Sequence, residues 1–292
     1  MKNHLIISML AFSAISLSIQ AQVVRGMPQY ESNQIEEIIG EMIEAHGGWE
    51  SWANASSIKY DNIFYNTGAG QGQNPWWVST EVIEQTGSEV NERRVYQKYH
   101  IGGAKGGFTM GYDRNEVWAK DWAIGNYPKM MQYFFYYFLN LPWLTQDDLV
   151  VLSDLQEKEY NGKEVFTIRM TFKGKPAIGK TSNDSFNLFI HKDSHQLLAY
   201  EYSIGFGAQL DAMGIPKERE VLGPVFRHID EYTEVEGLLF PARMHTTNQS
   251  QANIYGHHVL INYSVTTPFD SLKSEKPEGA LVDHSSHLRA KE

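Results

Sequence analysis

The chain of 292 residues contains no cysteine. Disulfides are therefore excluded, and so are thiolate metal ligands and a lipid anchor attached through a cysteine. Long hydrophobic runs are missing too. The longest, residues 5–17, falls short of the ~20 apolar residues that span a bilayer. Basic residues are scarce: 25 Lys and Arg stand against 35 Asp and Glu, for a net charge of −10. That acidity disfavours nucleic acid and anionic membrane surfaces as partners. The usual catalytic signatures are absent: no G-x-S-x-G elbow, no dinucleotide fingerprint and no H-E-x-x-H. Glycines at 102, 103, 106 and 107 lack the spacing and Lys-Ser/Thr ending of a phosphate loop, so they read as a turn. Neither a linker, a Ser/Pro tract nor an internal repeat divides the chain, which argues for one domain.

What is there begins with an export signal. Lys2 supplies a positive start, residues 5–17 an apolar stretch, and the small residues around Ala21 a cleavage site. Residues 1–21 therefore read as a signal peptide, 22–273 as the folded domain, and 274–292 as a polar tail that should be disordered. Cleavage after Ala21 or Gln22 removes only Lys2 among the charged residues, taking the net charge to −11. The expected compartment is the periplasm, or the medium if the protein is secreted further.

The clearest helix is 33–46. Ile35, Ile38, Ile39, Met42, Ile43 and His46 recur at helical spacing, Asn33 and Glu36 suggest a capping box, and Gly47-Gly48 ends it. His46 lies in the last turn, where the helix dipole favours a positive group, and reads as a capping or packing residue rather than a ligand. Beyond Trp52 the period drops to that of strands: 57–65, 76–85, 90–100, 107–112 and 116–121, then 149–160, 164–172, 185–191 and 196–204, then 226–235, 239–246 and 254–265. Phe186, Leu188 and Ile190 share one face, and a turn at 192–195 makes a hairpin with the next strand. Successive strands without helices between them give an antiparallel sheet, and so many strands in one sheet should curl. The loop 66–75 should be mobile, and 205–224 should cover an edge or an opening.

Four stretches carry a resemblance: EAHGGWESWANASSIKY after the opening helix, GYDRNEVWAKD, FNLFIHKDSHQLLAYEYS, and YTEVEGLLFPARMHTTN with its Gly turn and Pro-led strand. In order and texture, residues 34–269 resemble the periplasmic lipoprotein-carrier (LolA/LolB-like, outer-membrane lipoprotein-sorting) superfamily. The resemblance implies an α+β, mainly β fold: a strongly curved antiparallel sheet, an incomplete barrel closed by helices around an apolar cavity.

The segment 127–144 (YPKMMQYFFYYFLNLPWL) interrupts the strands with aromatic residues. Met130, Phe134, Tyr137, Phe138 and Leu141 would share one helical face, but Met131, Phe135 and Tyr136 make the other side apolar too. A helix apolar all round must be enclosed. It either plugs the half-barrel as core or lines a pocket as a lid. Trp76 and Trp77 are adjacent in a strand and must face opposite ways. Trp118 and Trp122 read as core or rim. The cavity candidates are therefore Trp77, Trp118, Met130, Phe134, Tyr137, Phe138 and Trp143.

Of the 11 histidines, His257 and His258 point apart on one strand, His191 and His195 flank a turn, and His284 and His287 sit in the tail, so no metal site is expected. Asp147-Asp148 reads as a turn-capping pair rather than an acid–base pair. The expected role is a non-catalytic periplasmic carrier or binding protein for an apolar ligand, a lipid or a lipoprotein acyl chain, without a cofactor. Its partners would be that ligand and envelope proteins. The alternatives are a secreted structural or interaction module and a cell-envelope hydrolase.

Overall fold

The computed structural model describes residues 23–67, 74–103 and 105–289. The expected export signal, residues 1–21, and the tip of the glycine-rich loop lie outside the described residues.

A two-residue strand β1 (Gln29–Tyr30) precedes helix α1 (Asn33–Ala45), whose apolar stripe Ile35, Ile38, Ile39, Met42 and Ile43 is wholly buried. The cap lies one residue earlier than expected. Ser32 Oγ accepts from the Ile35 amide, so Ser32 rather than Asn33 satisfies the first turn. Gly47 and Gly48 then turn the chain at φ 101° and 82° into α2 (Trp49–Ala53). A Cβ at Gly47 would lie 2.2 Å from the Gly237 carbonyl oxygen, so both conformation and space require glycine there. His46 is not a charged dipole partner. It is fully buried, its Nδ1 is 2.7 Å from the Met42 carbonyl, and burial pushes its pKa down to about 4. Desolvation outweighs the dipole.

Next come β2 (Ser57–Asn66), β3 (Trp76–Glu84), β4 (Val95–Ile101), β5 (Phe108–Tyr112) and β6 (Val117–Lys120). The strand expected at 90–100 is shortened by a 3₁₀ turn, Val90–Glu92, closed by a Glu89–Glu92 capping box. The aromatic segment forms α3 (Pro128–Met131), α4 (Phe134–Leu139) and α5 (Leu141–Leu144). Strands β7 (Val150–Tyr160), β8 (Lys163–Phe172), β9 (Ser185–His191) and β10 (Leu197–Ile204) follow, then α6 (Gly207–Ala212). The last are β11 (Leu222–Val235), β12 (Leu238–Asn248), β13 (Ile254–Ser264), α7 (Ser271–Ser274) and β14 (Leu281–Val282).

All strands join one curved, unclosed sheet in the order β1-β7-β8-β9-β10-β11-β12-β13-β2-β3-β4-β5-β6-β14. Every pair is antiparallel except β1 with β7. The pairing of β13 with β2 joins the two halves, and the aromatic segment connects their outer ends through β6 and β7. This is the mainly β incomplete barrel expected from the sequence.

The aromatic segment lies inside the curve. Its rings meet strands from both halves: Phe135 meets Phe64 on β2, Tyr133 meets Tyr112 on β5, Tyr137 meets Phe172 on β8, and Phe138 meets Tyr202 on β10. It is not one helix with one face. Gln97 of β4 donates its Nε2 to the carbonyls of Met131 and Gln132, capturing oxygens that a continuing helix would use, and α3 ends there. Pro142 cannot continue α4, and Asn140 caps both α4 and α5.

The polar tail is also part of the fold. β14 pairs with β6, the Asp283 carboxylate accepts from the Lys129 amide at 2.8 Å, and the Gly207 amide donates to the His287 carbonyl at 2.7 Å. Arg289 pairs with Asp211 at 2.8 Å and donates to the Pro216 carbonyl. Within 274–289 most polar residues stay wholly or partly exposed, but these few contacts hold the segment on the sheet, which composition alone does not reveal.

Candidate functional site

Directly paired residues of an antiparallel ladder share a face, and alternate residues of one strand do too. On this rule the inner face can be read off the register. Tyr202 pairs with Val225, Arg227 with Thr246, Thr246 with Gly256, His258 with Phe64, and Phe64 with Trp77. These residues form one continuous wall across β10, β11, β12, β13, β2 and β3. Met130 and Met131 of α3, Phe134 and Phe135 of α4, and Gln209 of α6 stand opposite. Between the walls lies a cavity of about 260 Å³, with Met213, Leu222 and Tyr255 also on its lining. This is just below the ~300–1,000 Å³ usual for small-molecule sites.

Gly256 helps shape it. A Cβ there would lie 2.3 Å from the Phe64 ring, so its absence lets that ring stack on His258 at 4.3 Å. Exposure is graded. Met213 is 50% exposed and Tyr255 46%, whereas Thr246 is 6%, Arg227 3% and His258 1% exposed. The rim is apolar and wet, and the buried end holds the polar groups.

Those polar groups are short of partners. Arg227 Nε and Nη1, Thr246 Oγ1 and His258 Nε2 are buried without a hydrogen bond. Arg227 Nη2 reaches Tyr202 Oη at 3.5 Å, and its guanidinium lies 4.3 Å over the Phe138 ring. No carboxylate among the described residues is in ion-pair contact with it. His258 Nδ1 is 3.1 Å from Asn62 Oδ1, and burial holds the ring's pKa well below the usual range, so it is neutral. Behind Phe138 lies a second buried cation. Lys180 Nζ sits 5.1 Å from that ring and 5.6 Å from Phe134, and burial lowers its pKa. Asp184 is the acid nearest in effect to Lys180; burial raises its own pKa, and it accepts from the Thr181 amide at 3.0 Å.

Of the residues singled out from sequence, Trp77, Met130 and Phe134 line this cavity. Tyr137 and Phe138 are buried behind it, packed on Phe186. Trp118 is elsewhere, on β6 against Gly111, with its indole N–H donating to the Ser274 carbonyl at 2.6 Å. Trp143 is also elsewhere, stacked on Trp52 at 5.7 Å and donating to the Gly48 carbonyl. Trp76 faces away from Trp77 and is 45% exposed. Arg227, Thr246 and Tyr202 were not singled out from sequence and His258 was weighed only as a metal ligand, although an arginine at the inward parity of a strand was a signal in reach.

Outside the cavity, Asp147 accepts from the Leu149 amide and Asp148 from the Met27 amide, so both cap backbone. His228, His245 and His257 align across β11, β12 and β13 on the opposite face, with the first two rings stacked at 4.2 Å. Among the described residues no group of three His, Cys, Asp or Glu side chains is arranged to hold a metal ion. None of the described helices is long and apolar enough to cross a membrane.

No family model matches the sequence, and neither does any curated protein. Solved structures do match its shape. A DUF1329 family protein from Desulfovibrio piger aligns over 82% of this chain and 97% of its own at a TM-score of 0.51, with 11% identity. A LolA superfamily protein from Nitrosomonas europaea aligns over 83% and 97% at a TM-score of 0.50, with 7% identity. The chain has the LolA-like fold.

Proposed function

We propose that this chain is an exported, non-catalytic carrier of an apolar, acyl-type ligand, held between the aromatic segment and the inner face of the sheet. The observation that carries this reading is the cavity itself: an apolar opening left unfilled beside a segment otherwise packed with its own aromatic rings. Ligand surface buried there gains roughly 25 cal/mol per Å². Methionines 130 and 131 give the wall a soft, adaptable side. The lining includes Arg, Thr, His, Asn and Gln but no Asp or Glu, so paired carboxylates for acid–base work are missing from it. The LolA-like fold is in keeping with carriage and with a periplasmic setting.

The test is displacement of a polarity-sensitive acyl dye from the mature protein and from Phe134→Asp. Phe134 is only partly buried, so the variant keeps its fold, checked by far-UV circular dichroism. Loss of dye binding is the expected result. Unchanged binding by a folded variant would remove the aromatic segment from the ligand site.

A further inference from the structure

Resting on the carrier reading, we propose that the buried end of this cavity is a carboxylate site, so that the cargo is a free acyl acid rather than a neutral lipid. The starting point is Arg227. A guanidinium 3% exposed has lost nearly all its water, which is strongly unfavourable unless something replaces it. Here the replacement is incomplete: Nε and Nη1 have no acceptor, and among the described residues the guanidinium meets only tyrosine hydroxyls, Tyr202 Oη at 3.5 Å from Nη2 and that of Tyr200. Its cross-strand neighbour Thr246 holds a buried hydroxyl that is equally unpartnered. Lys180 adds a second buried cation across the Phe138 ring, and Asp184 is the single buried acid beside it. Such a pocket end is stabilised by an incoming anion.

The chemistry of the rest of the cavity names the anion's other half. Phe64, Trp77, Met130 and Phe134 form apolar walls leading outward from Arg227. An amphiphile placed with its head inward satisfies the orphaned donors and buries its chain along those walls. With Nδ1 donating to Asn62, His258 keeps a lone pair on Nε2, so a carboxylate is repelled from β13 and belongs on the Arg227–Thr246 side. A phosphodiester head with its glycerol would leave little of the 260 Å³ for a chain, whereas a carboxylate adds only two oxygens.

Delipidated mature protein is titrated by calorimetry with decanoate, decanol, decyltrimethylammonium and acetate. Decanoate should bind at least ~10-fold tighter than decanol, and decyltrimethylammonium and acetate should bind far more weakly. Arg227→Met should weaken decanoate roughly 10–100-fold while decanol changes by less than about 3-fold. Thr246→Val, close in shape, should weaken decanoate by a smaller factor, and it carries the test if Arg227→Met fails to fold. Equal affinity for decanoate and decanol would overturn the carboxylate site while leaving the carrier standing. Acetate binding as tightly as decanoate would also overturn it, by making this a small-anion site. Binding of none of the chain-bearing probes would overturn the carrier reading and the inference with it.

Discussion

Replacing Glu81 by glutamine should change how stability depends on pH, by an amount the structure sets. Glu81 of β3 is fully buried beneath the aromatic segment. It accepts from Tyr60 Oη at 2.6 Å, Ser79 Oγ at 3.2 Å and Gln97 Nε2 at 3.2 Å, and Gln97 in turn holds the carbonyls that end α3. Burial raises its pKa to about 7 from an ordinary 4.5, against the lowering effect of the Tyr60 and Ser79 hydrogen bonds. Between those two values the folded chain holds a proton that the unfolded chain has lost. Stability from this group is therefore full below pH 4.5, falls as pH rises, and levels off above 7. The span amounts to about 3 kcal/mol. Glutamine keeps the shape and cannot ionise. The stability difference between Glu81→Gln and wild type should thus shift in the variant's favour by about 3 kcal/mol from pH 4.5 to pH 7.5. Urea unfolding at each pH measures it, and every other titrating group cancels in the difference. Parallel stability curves would refute the buried, proton-holding carboxyl.

Three further outcomes are expected. In wild type the histidines act with the opposite sign: burial lowers His46, His228 and His287 to about 4 and holds His258 well below its usual range, so their stability is present above pH 6.5 and is lost as pH falls toward 4, readable as a falling thermal midpoint. Phe138→Ala, at a site 1% exposed, should cost about 3–5 kcal/mol in urea unfolding, whereas Phe134→Ala, half-buried at the cavity, should cost less and act mainly on ligand affinity. Gly256→Ala should displace the Phe64 ring, lose about 1–3 kcal/mol, and weaken acyl-dye binding; unaltered binding would place the ligand elsewhere.

Much of the fold was legible because it follows from local periodicity. The buried stripe of α1 and the alternation of β9 are written in spacings of 3.6 and 2, and each forms as read. The aromatic segment was legible as something enclosed, since no face of it is polar. Its breaks were less so: Pro142 is visible in the sequence, but the capture of two carbonyls by Gln97 depends on a strand some 35 residues away. The same limit applies to the site. Hydrophobicity says that Trp118 and Trp143 are buried, not which cavity they face, and neither lines the cavity between the aromatic segment and the sheet. Arg227 is the instructive omission. Its neighbours Phe226 and His228 are buried as well, so no alternation marks it out, and only the ladder to Thr246 and the lack of an ion-pair partner among the described residues reveal that the charge is unmet.

The most direct test of the carrier account is native mass spectrometry of the protein purified from an expressing cell, followed by organic extraction and analysis of the extract. The account predicts one acyl acid per chain, released on denaturation and present in the extract. A bare chain mass that added decanoate also fails to shift would contradict it, and would leave a folded interaction module in its place.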